Sequence, residues 1–207
     1  MYIDKLLEIS GPSLTSKGLP LAAQAFGIPA HSLNALLQRR NGFYSFESAL
    51  HVFPADRTDL ELGLSEWNSR ELWISRYGDL ADNCFFFAED IFGGQFCFYD
   101  NQVYSFDPET GDKEYLASDL EDWAQLILSD YDYLTGYSLG HGWQERNGQL
   151  KQGMRLIPKV PFVAGGEFST ENLYAIGCVQ GMQLRGSWAR QVHNLPDGAQ
   201  IEIKIVE

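Results

Sequence analysis

CFFFAEDIFGGQFCFYDNQVYSFDPETGDKEY, residues 84–115, decides the fold. Its aromatic residues fall into short segments separated by turn-forming residues, the pattern of consecutive β-strands. Strands are predicted at 84–88, Gln95–Tyr99, Gln102–Phe106 and 113–116. Between them lie Gly93-Gly94, Asp100-Asn101 and Asp107-Pro108-Glu109-Thr110-Gly111. Asp and Asn tolerate the positive φ of a two-residue hairpin. Pro108 pre-sets φ for a turn, and Gly111 takes the left-handed position that closes it. The spacing predicts an antiparallel meander. Large aromatics occupy both of its faces, so one face lies on a core and the other is covered or receives a partner.

Helices are predicted on either side. Downstream, Ser118 and Glu121 have the spacing of a capping box. Leu120, Trp123, Ala124, Ile127, Tyr131 and Leu134 then share one helical face up to Gly136. A further helix is expected over 139–146. Upstream, a helix from Pro29 carries Leu33, Leu36 and Leu37 on one face and ends at Asn41-Gly42, which suits a left-handed cap. Residues 19–26 suggest one or two helical turns, 43–46 and 50–53 short strands, and 64–76 partly helical chain containing Trp67 and Trp73. Beyond 136, strands are expected at 155–160, 173–176 and 200–206, with a helix over 179–193 weakened by Gly181 and Gly186. The chain is therefore read as an antiparallel meander with helices before and after it. Residues 1–135 form the principal unit, and 136–207 an α+β extension packed on the same domain.

With 207 residues, 44% hydrophobic and 14% aromatic, the chain can bury a substantial core. No stretch approaches the roughly 20 apolar residues of a membrane helix. The opening MYIDKLLEISGP lacks a basic segment followed by an apolar one, so no signal peptide is expected and the expected location is cytoplasmic. Cys84, Cys97 and Cys178 are odd in number and widely spaced, which favours reduced, buried thiols. The formal net charge of −13 is concentrated: residues 47–132 hold 20 acidic and 4 basic side chains, a net of −16. Such a field repels phosphate backbones and excludes nucleic acid as the expected partner. It would steer a basic protein towards the chain. On charge alone, a solvated acidic surface is the simpler reading.

No catalytic constellation is legible. Gly165-Gly166-Glu167-Phe168 resembles a diguanylate-cyclase signature, but that chemistry needs two adjacent acids in a longer hairpin, so a Gly-rich turn is predicted. Glu89 and Asp90 are paired carboxylates beside Gly93-Gly94, yet neighbouring strand residues point apart and no third ligand has suitable spacing. His31, His51, His141 and His193 are scattered without zinc-site spacing. A Cys–His pair formed in space, Cys97 with His51 or His141, stays open, although a thiol among strand aromatics is by default inert. No cofactor and no metal are expected.

Three signals in order carry a family resemblance. They are LNALLQRRNG (33–42), FFFAEDIFGGQFCFYDNQVYSFDPETG (85–111) and SDLEDWAQLIL (118–128). In this order they resemble the SUKH superfamily over about residues 20–135. The resemblance implies an α+β fold class, a mainly antiparallel or mixed sheet flanked by helices, with no enzymatic activity, and, in bacteria, immunity proteins that bind and neutralise secreted toxins, often nucleases. Its fungal branch implies regulators or scaffolds of cell-wall synthesis or signalling. The expected partner is a cognate, basic toxin protein. Asp79, Asp82, Glu89, Asp90 and Asp100 are expected to meet it as an acidic rim of the meander.

Overall fold

The computed structural model describes residues 1–16, 30–196 and 198–199. The suggestions for 19–26 and 200–206 lie outside the described residues. The fold is α+β, organised on a six-stranded antiparallel sheet whose spatial order follows the chain. Its strands are β1 (Phe43–Ser45), β2 (Leu50–Val52), β3 (Phe85–Asp90), β4 (Gln95–Tyr99), β5 (Gln102–Phe106) and β6 (Lys113–Ala117). The meander holds as the sequence predicts. Tyr99 pairs with Gln102, leaving Asp100 and Asn101 as a two-residue loop at φ 50° and 61°. Both positive angles match the strand twist, and their side chains tolerate them.

One sheet face is apolar. Phe87 and Phe96 pack edge-on against Trp123 of α4 (Leu120–Ser129), and α1 (Tyr2–Ile9) packs on α4. The opposite face is covered by Trp67 of α3 (Leu64–Trp67), by Trp73 and Tyr77, and by the C-terminal helix α7 (Cys178–Val192). The predicted capping box at Ser118 is corrected. Asp119 is the N-cap, its carboxylate accepting from the backbone N–H groups of Glu121 and Asp122 at 2.9 Å. Glu121 is thereby freed, and its carboxylate accepts from the first N–H groups of α1, those of Tyr2 and Ile3. The single helix expected up to Gly136 is also two. Asp130 leaves the helical region at φ −142°, and α5 (Tyr131–Thr135) follows, closed by left-handed Gly136.

Helix α2 (Ala30–Arg39) ends where Asn41-Gly42 predicts. Gly42 stands at φ +68°, and a Cβ there would sit 2.7 Å from the Pro54 nitrogen, while Asn41 Oδ1 accepts from the Ala55 N–H at 2.8 Å. Gly42→Ala therefore combines an unfavourable angle with backbone overlap. The expected loss is about 2–4 kcal/mol of folding stability, read by urea unfolding; a loss under about 0.5 kcal/mol would contradict the close approach.

The β1–β2 turn contains no glycine, proline or asparagine to signal it. Phe46, Glu47 and Ser48 all have positive φ (50°, 52° and 73°), an arrangement costly for side-chain-bearing residues. Helix α6 (Tyr137–Asn147) holds it: Gln144 donates to the Glu47 carbonyl and His141 pairs with the Glu47 carboxylate at 2.7 Å. A two-stranded sheet, β7 (Met154–Pro158) with β8 (Leu173–Gly177), joins the body where the Leu156 N–H donates to the Ile91 carbonyl. Met182 and Ala189 of α7 belong to the main core. No helix among the described residues is long and apolar enough to cross a membrane.

Candidate functional site

Two polar assemblies arise where the C-terminal elements meet the meander. The first is buried and depends on a β-bulge. Phe86 pairs with Cys97 and Glu89 with Gln95, but Ala88 rather than Phe87 faces Phe96. The extra residue reverses the alternation, so Glu89 emerges on the same face as Phe86. There its carboxylate takes a contact from His51 Nδ1 at 3.0 Å and from Gln95 Nε2 at 3.2 Å. Arg155 of β7 places Nε 2.8 Å from the same carboxylate, although the N–H is not aimed at the oxygen; the contact is an ion pair more than a hydrogen bond. Tyr44 stacks on His51 and donates to Glu61, Arg155 lies 5.4 Å from the Tyr44 ring, and Trp67 donates to Gln95.

Glu89, His51 and Arg155 are each 1% exposed. Burial alone would push the Glu89 carboxyl up; the Arg155 charge and the hydrogen bonds from His51 and Gln95 overcome it and hold the group below its ordinary value. Burial lowers His51, which stays neutral. An ionised carboxylate can only accept, so His51 carries its hydrogen on Nδ1.

The second assembly is open. A groove of about 700 Å³ runs between the β3–β4 turn, the β5–β6 loop, α5 and the loop after β7. Asp90, Asp107, Glu109 and Asp132 line it, and Arg185 is the one basic lining residue among the described residues. Asp90 Oδ1 accepts from the N–H groups of Phe92 and Gly94 at 2.8 Å, which fixes the turn. Part of Asp90 touches solvent, but its carboxyl group is packed inside that turn, and burial pushes it up to about 7 despite those hydrogen bonds. Glu109 is 5% exposed; its Oε2 accepts from the Val163 N–H at 2.9 Å, whereas Oε1 is buried without a partner. Burial raises Glu109 also. Arg185 is committed to the Phe92 carbonyl at 2.7 Å and the Gly181 carbonyl at 3.1 Å. Phe168 stacks on Phe162 at 4.1 Å, and Phe168 and Tyr133 stand 73% and 82% exposed at the groove.

The five sequence-predicted acids do not form one rim. Asp82, just before β3, and Asp100, at the hairpin tip, lie at one end of the β3–β4 pair, and Asp90 lies at the other. A five-residue strand separates them by roughly 17 Å. Asp82 is ion-paired with Arg70 at 2.7 Å, and Asp79 is exposed on the 3-10 turn Gly78–Ala81. Glu89 is corrected outright as a surface position: the bulge and Arg155 place it in the interior. Glu109 and Arg185, central to the groove, were not singled out from the sequence; Asp107-Pro108-Glu109 signalled only a turn.

The Cys–His pairs left open are not brought together. Cys97 is buried, and the neighbouring Cys84 thiol together with burial pushes it up. His51 serves Glu89, and His141 serves Glu47. No group of three or more His, Cys, Asp or Glu among the described residues is placed to hold a metal ion.

Fold and groove together define an α+β protein with an acidic, aromatic-lipped cleft against its antiparallel sheet. The fold is similar to that in the crystal structure of Atu4351 from Agrobacterium tumefaciens, with a TM-score of 0.60 and 12% identity, covering 90% of this chain and 89% of that chain. At that identity the likeness is one of fold. No family model matches the sequence, and no curated protein matches it.

Proposed function

We propose that the protein is a SUKH-like immunity protein that neutralises a basic secreted toxin by stoichiometric binding. One observation carries the reading. Of the 20 acidic residues in 47–132, Glu61, Glu89 and Glu109 are buried and the Asp90 carboxyl is packed in its turn, so most of the −16 charge is presented outward, largely from the loops and helices around the sheet. Such a surface accelerates encounter with a basic protein and disfavours neutral or acidic competitors. The exposed aromatics at the groove add the large, rigid contact area that protein-binding sites concentrate.

The test is titration of the chain against the toxin domain encoded beside its gene, with growth protection as the cellular readout. Reversing Asp79, Asp82 and Asp100 to lysine is expected to weaken binding on the order of 10–100-fold at low salt and to flatten its salt dependence. Failure of the wild-type chain to bind or protect sinks the immunity reading. Recovery of resident cell-wall or signalling proteins instead would favour the regulatory scaffold of the fungal branch.

A further inference from the structure

We propose that the groove contains a subsite for one arginine side chain of the protein partner, seated on Glu109 and walled by Phe168 and Tyr133. The inference deepens the binding reading above and rests on it for the partner's class.

Three observations converge. Glu109 is almost entirely removed from solvent, yet Oε1 has no hydrogen-bond donor. A buried acceptor left unpaired is costly, and a ligand that supplies the donor recovers that cost. The lining carries four carboxylates against one guanidinium, and Arg185 is already spent on two backbone carbonyls. The groove thus has more acidic than basic lining residues, and Glu109 Oε1 lacks a donor. Finally, the walls are aromatic: Phe162 meets Phe92 edge-on at 5.7 Å and stacks on Phe168, leaving broad ring surface at the mouth. A planar guanidinium stacks on such rings while its N–H fork reaches a carboxylate. A lysine ammonium satisfies the charge but not the plane.

Chemistry also excludes the commonest alternatives. A phosphate or carboxylate ligand would meet an acidic lining whose guanidinium is already hydrogen-bonded to backbone carbonyls. A bare metal ion lacks a convergent ligand set, because Asp90 Oδ1 is engaged by the turn N–H groups and Glu109 Oε2 by Val163.

The probe is N-acetyl-arginine methylamide, with the citrulline analogue as an isosteric uncharged control, titrated into the isotopically labelled full chain by NMR. Arginine is expected to bind in the millimolar range, about tenfold tighter than citrulline. Shifts should concentrate at the Gly94 and Val163 amides and the Glu109 carboxyl carbon. Glu109→Gln should remove most of this selectivity. Phe168→Ala and Tyr133→Ala, at exposed positions that leave the core untouched, should each weaken arginine binding severalfold. Equal binding of the two probes overturns the proposal, as do shifts confined to Asp79, Asp82 and Asp100, or arginine binding unaffected by all three variants. The two readings fail separately. Toxin binding insensitive to Glu109→Gln, with no arginine selectivity, removes the subsite and leaves immunity standing; arginine selectivity with no toxin bound does the reverse.

Discussion

Replacing Arg155 with methionine is expected to cost about 3–5 kcal/mol of folding stability and to lower the melting temperature on the order of 10 °C. Methionine keeps much of the volume, so the loss is electrostatic. Arg155 sits 2.8 Å from Glu89 with both side chains 1% exposed. Without it, His51 and Gln95 remain as hydrogen-bonding partners of the Glu89 carboxylate, but no charge balances it. The carboxylate must then take up a proton or force the sheet to admit water. Removing both charges, as Arg155→Met with Glu89→Gln, should restore a large part of the loss, with a coupling of at least about 1.5 kcal/mol in a double-mutant cycle.

The pH dependence gives an independent sign. In the wild type, Glu89 is held below its ordinary value of 4.5, so its contribution is present above that value and lost as pH falls through the lower folded value. In Arg155→Met the folded value moves above the unfolded one, and the residue's contribution is instead lost as pH rises. The stability gap between wild type and variant should therefore narrow on going from pH 7 to pH 4 in urea unfolding. A gap below about 1 kcal/mol at pH 7, or one that widens in acid, would show that Glu89 is not held by Arg155.

On the opposite sheet face, Trp123→Ala should cost a comparable 3–5 kcal/mol, for a different reason. Trp123 is fully buried between α4 and the sheet, with Phe87 at 5.2 Å and Phe96 at 5.6 Å in edge-on contact. Truncation leaves a cavity that two fixed strands cannot collapse to fill. Trp123→Phe is the informative companion. The indole Nε1 is buried without a partner, so phenylalanine loses volume but also removes an unsatisfied donor. Its cost should be only about 1 kcal/mol, measured by chemical denaturation followed by circular dichroism. If Trp123→Phe proves as damaging as Trp123→Ala, the N–H has a partner and the packing account is wrong.

These two residues mark the limits of reading the chain locally. Trp123 was legible because its helical spacing with Leu120, Ala124 and Ile127 is a property of neighbouring residues. The β4 and β5 bounds were legible for the same reason: Asp100-Asn101 fixes the hairpin register within a few bonds. Local reading misassigned the cap of α4, since Ser118 and Asp119 both carry suitable oxygens and only the approach of α1 decides what Glu121 does. It missed the helix break at Asp130, where the apolar periodicity continues across a changed backbone.

Alternation also failed at Glu89, because a single bulged residue at Phe87 inverts every side chain that follows in the strand. Short-range periodicity and turn chemistry encode the antiparallel meander and its aromatic core faces, and composition shows where acidic charge concentrates. Which carboxylates are surface and which are interior is settled by long-range packing. That depends on Arg155 entering from β7 to balance Glu89, and on Val163 satisfying just one oxygen of Glu109. Burial and pairing are relations between distant segments, and no local pattern encodes them.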